Sequence, residues 1–401
     1  MNRQILLLLL CGSLLLLALF GCKEDAPPSI NDLPIGNGPQ PVIDSIVPAG
    51  GALAGVQPIS IYGKNFSSSM TDNIVFFNAA SGKVLSATQT RIVVTSPADT
   101  GLQTVKIAVA NAVLFSANVL YKLEPAIKAF DKYMPTGGVT NSICNGVDAN
   151  LYISVADNTG KDSGIVKITA SGSRTSYASF GLGPWTGIKF GLGGFLYAVK
   201  NVRAVYRFAP GGAGAAILWA SIPSGSFYDF DFDPNDNMWV AGNNKNIYKI
   251  TQTAIVKGYP FEGNVKTVRY FNGYLYFGAS IGSTGDTNVV YRAPIVADTL
   301  GLPEIYFNLS SAYPTETYNI QALTFSSDGD MYVGVNSPDY LMVVHPDKSF
   351  EMPYSLYRAT ELHSPCRNFA WIGDYLYAGT AAGGLLQITV RKQSAPYYGI
   401  Q

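Results

Sequence analysis

The sequence predicts an all-β protein in which a small β-sandwich precedes a six-bladed β-propeller. Three observations carry that expectation. Glycine and proline, 41 and 23 residues, are spread along the 401-residue chain rather than clustered, the arrangement of many short strands joined by turns. Short apolar runs alternate with polar positions between those turns. One aromatic anchor then recurs through the second part of the chain. The length allows two or three domains. A formal net charge of zero with only 13% charged residues leaves no field to hold a polyanion, so nucleic acid is not an expected partner.

The chain opens on Asn2-Arg3, an apolar run from Ile5 to Phe20, and Leu19-Phe20-Gly21-Cys22. This segment resembles the bacterial lipobox, in which a small residue precedes the cut and the new N-terminal cysteine carries a diacylglycerol. The resemblance implies a signal peptide over 1–21 and lipidation at Cys22, with attachment to a membrane through the lipid. An uncleaved membrane helix is the alternative, but the run is short and stops at Gly-Cys. Lys23-Glu24-Asp25 is similar to the export signal with which some polysaccharide-foraging diderm bacteria place lipoproteins on the outer leaflet; a solvated charged linker reads the same way. The Pro/Gly-rich remainder makes residues 22–40 a flexible tether. The expected location is the outer membrane, lipid-anchored and facing outward.

Residues 41–122 hold Ile59-Ser60-Ile61-Tyr62-Gly63-Lys64-Asn65-Phe66, Ile74-Val75-Phe76-Phe77, Ile92-Val93-Val94 and Val105-Lys106-Ile107-Ala108-Val109. Short alternating strands over about 80 residues describe an immunoglobulin-like sandwich. Val47-Pro48, the Ile61 to Phe66 block, Ser96-Pro97 and Val119-Leu120-Tyr121 resemble the IPT/TIG family, which implies a spacer. Gly63 is expected to permit a turn, with Lys64 and Asn65 outward and Phe66 filling the core end.

From 126 to 392 one unit repeats. Leu151-Tyr152, Leu196-Tyr197, Met238-Trp239, Leu275-Tyr276, Met331-Tyr332 and Leu376-Tyr377 recur roughly every 37 to 56 residues, a propeller-blade period. The unit resembles NHL-type and related six-bladed propellers. Residues 126–134 look like an outer strand without a blade of its own, and the sixth unit has little after Val390. We therefore expect 126–134 to complete the last blade, leaving 393–401 as a tail. Loops at Ser280–Asn288 and Ser310–Asn319 are insertions in the fourth and fifth units.

The residues entering each inner strand should crowd one end of the axis: Asn141 and Cys144, Trp185 and Thr186, Tyr228 and Asp229, Lys266 and Thr267, Gln321, and Arg367 and Asn368. Aromatic faces mixed with amides and single charges suit a neutral polar ligand such as a sugar; the same side chains could instead simply fill the channel. Calcium-dependent propeller hydrolases hold a metal on the axis, and hard cations want several carboxylates. Here Asp229 is the one clear acid, opposed by Lys266 and Arg367, although Glu316 or Asp148 could join it. Neither a metal nor another cofactor is expected. His345 reads as a solvated turn residue, and His363 as a loop residue that could face the channel. Cys144 and Cys366 occupy the first and last units, so ring closure allows a disulfide between them; two buried free thiols are equally compatible.

These readings favour a non-catalytic surface lipoprotein that captures an extracellular ligand, a glycan foremost. A docking platform within an outer-membrane protein complex and a lactonase-like hydrolase or lyase are the alternatives.

Overall fold

A computed structural model describes residues 33–34, 36–179, 181–212, 214–281, 288–312, 319–336 and 340–399. Residues 1–21, expected to be a signal peptide, Cys22 and most of the expected tether lie outside the described residues, as do 282–287 and 313–318 of the two inserted loops and Glu316 with them. Among the described residues no helix is long and apolar enough to cross a membrane.

The N-terminal unit is a sandwich. One sheet runs Val42–Val47, Pro58–Lys64, Arg91–Thr95, Lys83–Ala87 in space; the other contains Val119–Glu124, Gly101–Val109, Asn73–Phe77 and Ala80–Ser81 in order. Alternation along these strands buries Ile59, Ile61, Ile74, Phe77, Ile92, Val94 and Ile107 between the sheets, as strands with one wet face must. Gly63 differs from its expected role. It sits inside the strand Pro58–Lys64, and a Cβ there would lie 1.9 Å from the Val42 carbonyl oxygen and 2.5 Å from the Phe66 ring. Close approach demands the glycine, while Asn65, at φ 63°, makes the turn. Phe66 is buried and Lys64 and Asn65 are exposed.

The second unit is a closed ring of six blades. The first comprises Val139–Asn145, Leu151–Ala156, Asp162–Ile168 and Arg174–Ala178; the second, Gly187–Phe190, Leu196–Val199, Ala204–Phe208 and Ile217–Ser221. The third and fourth are continuous through the long strand Val256–Phe271. Its start pairs with Asn246–Ile250 of the third blade, and its end pairs with Tyr274–Ile281 of the fourth. Ile320–Phe325, Met331–Val335, Leu341–Val344 and Phe350–Glu351 form the fifth. The sixth takes Cys366–Ile372, Tyr375–Thr380 and Leu385–Thr389 from the end of the chain and Ile127–Ala129 from before the first blade, in the register Ile127↔Ile388 and Ala129↔Leu386. This strap joins the two ends of the propeller in one sheet, which removes an exposed edge.

The recurring aromatic anchors hold neighbouring blades together. Tyr152, Tyr197, Tyr276 and Tyr332 each pack on an aromatic residue at or one before the end of the next inner strand, namely Phe190, Phe232, Phe325 and Trp371, with ring centroids 4.7 to 5.5 Å apart. Tyr377 meets Phe130, just beyond the strap, at 5.3 Å. Each such pair adds about 0.5–1.5 kcal/mol beyond its buried area.

The C-terminal tail docks on the propeller. Ala395 N–H donates to the Phe325 carbonyl at 3.0 Å, the Tyr397 hydroxyl donates to the Phe190 carbonyl, and Tyr398 lies edge-on to Tyr270 at 5.3 Å. All three contacts fall at the far ends of inner strands, so the tail crosses one end of the axial channel. Tyr397→Phe is expected to lower stability by about 1 kcal/mol, the worth of one hydrogen bond, read as a shifted midpoint in urea unfolding with an unchanged slope.

Candidate functional site

At the opposite end the inner strands share one irregularity. Pairing between the first and second strands of a blade slips by one residue at Asn141, Tyr228, Lys266, Gln321 and Arg367. Thr186 holds the matching place in the second blade, where its N–H and its hydroxyl both donate to the Val199 carbonyl. A β-bulge leaves one residue unpaired and re-aims its side chain. Five bulges, with Thr186 in the matching place of the remaining blade, therefore set six polar side chains around one axis, and all six line the same cup. Its volume is about 300 Å³, the lower end for small-ligand sites.

Of the mouth residues expected from sequence, Thr186, Tyr228, Asp229, Lys266, Gln321, Arg367 and Asn368 line the cup, as does Asn141. Trp185 does not. It occupies the position before the bulge, where the side chain turns away from the axis. The residues at that position are Thr140, Trp185, Phe227, Val265, Ile320 and Cys366, all buried. The indole, 2% exposed, packs on Tyr206 and Phe208 at 5.4 and 5.8 Å. Tyr228 is thus the aromatic ring lining the cup, and the ammonium of Lys266 lies 4.6 Å from its centroid.

Bonds between blades divide the ring into two arcs. Asn368 Nδ2 donates to the Asn141 carbonyl at 3.0 Å, Ser142 Oγ and Asn141 Nδ2 donate to the Trp185 carbonyl, and Thr186 Oγ1 donates to the Phe227 carbonyl at 3.2 Å. These side chains staple the sixth blade to the first, the first to the second, and the second to the third. Tyr228, Lys266, Gln321 and Arg367, on the third to sixth blades, form the other arc. No described carboxylate makes an ion pair with Lys266 or Arg367. Burial, with Arg367 adding like-charge repulsion, holds the Lys266 ammonium below its usual pKa.

The floor of the cup is a four-charge cluster of which the sequence reading had named only Asp229. Arg269 Nη1 meets Asp229 Oδ2 at 2.7 Å, and Lys189 Nζ lies 3.4 Å from Asp229 and 3.3 Å from Asp231. Asp229 also accepts from Thr267 Oγ1 at 2.8 Å and from the Val268 N–H at 3.1 Å. Burial pushes its pKa up, but Arg269, Lys189 and these hydrogen bonds outweigh burial and hold it below 3.8. Asp229 is therefore opposed by Lys189 and Arg269, one layer deeper, rather than by Lys266 and Arg367. Lys189 itself is pushed below 10.5 by burial and by Arg269, against the pull of the two acids. With the carboxylates so engaged, the cluster is poorly suited to hold a dication. Among the described residues no group of three or more His, Cys, Asp or Glu could hold a metal. Lys189 and Arg269 also line a cavity of about 70 Å³ on the tail side, so the charge cluster separates it from the cup.

The remaining candidates lie elsewhere. Cys144 and Cys366 are both buried and free. Aligned on the bulge, Cys366 precedes it and Cys144 follows it by three residues, so they occupy different levels of adjacent strands and belong to separate core clusters. Burial pushes the Cys144 thiol far up and that of Cys366 up to about 12, leaving both protonated and inert. Asp148 pairs with Lys167 at 2.6 Å, away from the cup. His363 is exposed and bonds the Thr360 carbonyl, while His345 is half-buried on Asp330; neither lines the cup.

The chain is thus an all-β protein whose propeller carries a polar cup on its axis. Residues 41–123 match the IPT/TIG domain. No curated relative matches the chain. Among solved structures it is similar to an auxiliary nutrient binding protein from Bacteroides thetaiotaomicron, with 11% identity, a TM-score of 0.50, and 88% of this chain and 99% of that one covered. It is similar to a luciferin-regenerating enzyme at 13% identity and a TM-score of 0.54, covering 69% and 100% of the two chains. Regucalcin from Agrobacterium tumefaciens, a calcium-binding protein, gives 13% identity and a TM-score of 0.50 over 67% and 96%. At these identities the likeness shows the fold alone.

Proposed function

We propose that this protein is a non-catalytic, lipid-anchored cell-surface protein whose propeller binds an extracellular glycan in the axial cup, with the IPT/TIG domain as spacer. The observation that carries the proposal is the division of the bulge ring. One arc is spent on bonds between blades, while Tyr228, Lys266, Gln321 and Arg367 present a ring face, an amide and two cations to the cup. Hydroxyl-rich ligands are held by such a set through stacking and hydrogen bonds. Catalysis of the lactonase kind needs a base or metal at the reacting centre, and among the described residues the axial acids Asp229 and Asp231 are committed to Lys189 and Arg269. A known fold neighbour that is a nutrient-binding protein agrees with this reading.

The test is affinity electrophoresis of the purified full chain against a polysaccharide panel, beside Tyr228→Ala. Retardation by at least one polysaccharide, weakened about tenfold in the variant, is expected. A parent retarded by none of them, or a variant retarded as strongly as the parent, ends the glycan reading.

A further inference from the structure

We infer that the ligand of the cup carries an acidic group, the carboxylate of an acidic sugar, seated between Lys266 and Arg367; this rests on the glycan reading above. Lys266 and Arg367 stand at equivalent bulge positions two blades apart, with Gln321 between them. The backbone therefore aims both cations into one space. The floor contributes two acids and two bases, Asp229 and Asp231 against Lys189 and Arg269, and cancels. What remains at the mouth is two positive charges with no described carboxylate paired to either.

Two like charges held near each other in a half-buried cup repel, and the cost grows as water is excluded. Burial and the Arg367 charge together already make the Lys266 ammonium easier to deprotonate. An incoming anion reverses that penalty and gains charge-assisted hydrogen bonds. The planar fork of Arg367 fits the two oxygens of a carboxylate, the ammonium of Lys266 adds a point charge, and the Gln321 amide can meet a neighbouring hydroxyl. A neutral sugar would leave both cations without a countercharge among the described residues, Lys266 having only the Tyr228 ring. A sulfate ester offers similar charge, so the panel separates the two anions.

Full chain in detergent is titrated calorimetrically with polygalacturonate, a sulfated galactan and neutral galactan, at low and high salt. Polygalacturonate should bind most tightly and weaken as salt rises. Lys266→Gln and Arg367→Gln should each weaken it about tenfold and flatten the salt dependence, with melting temperatures near the parent's. Sulfated galactan binding tighter than polygalacturonate overturns the carboxylate assignment. Neutral galactan binding equally well, lost in Tyr228→Ala but not in the two charge variants, overturns the inference while leaving the glycan reading intact. Charge variants that bind polygalacturonate like the parent place its site elsewhere and overturn the inference. Absence of binding to every polysaccharide overturns the inference and the glycan reading together.

Discussion

Asp229→Asn should destabilise the propeller by about 3–5 kcal/mol, the cost of breaking a buried ion pair by removing one partner. The carboxylate touches Arg269 at 2.7 Å, Thr267 at 2.8 Å and the Val268 N–H at 3.1 Å, with Lys189 at 3.4 Å. Its loss leaves Lys189 and Arg269 sharing Asp231 alone, two buried cations against one anion. The sign of the pH dependence follows from the depressed pKa of Asp229. A carboxyl whose folded-state pKa lies below its unfolded value contributes stability that is complete above the ordinary carboxylate range and is lost as pH falls through the folded value. The parent's melting temperature should therefore decline below about pH 4, and the variant's should start lower and fall less steeply there. Thermal unfolding followed by circular dichroism across that range measures both. A variant melting within a degree of the parent would show that the cluster holds nothing together.

Much of this arrangement was legible in the sequence, for a physical reason. Tyr152, Tyr197, Tyr276 and Tyr332 make ring contacts between blades, so such anchors recur once per blade, and their period gives the count. The strap could be read because one strand-like segment, 126–134, had no blade of its own. The mouth could be read because every inner strand begins at a recognisable offset before its anchor. The missing piece was the bulge. It breaks the period-two alternation, so that Trp185, which would otherwise share the axial face of Gly187 and Lys189, turns away while Thr186 turns in, yet it depends on pairing with another strand. A signal did exist in composition: the six residues before the bulge are mostly apolar, and the six at it, Asn141, Thr186, Tyr228, Lys266, Gln321 and Arg367, are all polar.

The deeper charges followed from period-two alternation, since Asp229 and Asp231 share a strand face, as do Thr267 and Arg269, and Gly187 and Lys189. Reading only strand entrances missed them. The tail left no such trace. Ser394 to Tyr398 has neither strand period nor repeat, and its place depends on contacts with Phe190, Tyr270 and Phe325 that are remote in sequence.

Trp185→Ala separates the two sides of the bulge by experiment. Removing an indole that is 2% exposed leaves a cavity against Tyr206 and Phe208, and large aromatic deletions of this kind cost about 3–5 kcal/mol. The cup should survive the change, because Asn141 and Ser142 bond the backbone carbonyl of residue 185, which alanine retains. A melting temperature several degrees lower, with ligand affinity at 15 °C within twofold of the parent, is the expected result. Tyr228→Ala should behave in the opposite way, since its ring is half-buried and its loss opens the cup without hollowing the core. Measuring melting and binding on the same two samples makes the contrast internal. If Trp185→Ala instead melted like the parent and failed to bind, the indole would belong to the mouth, and the bulge would not divide core from cup as described.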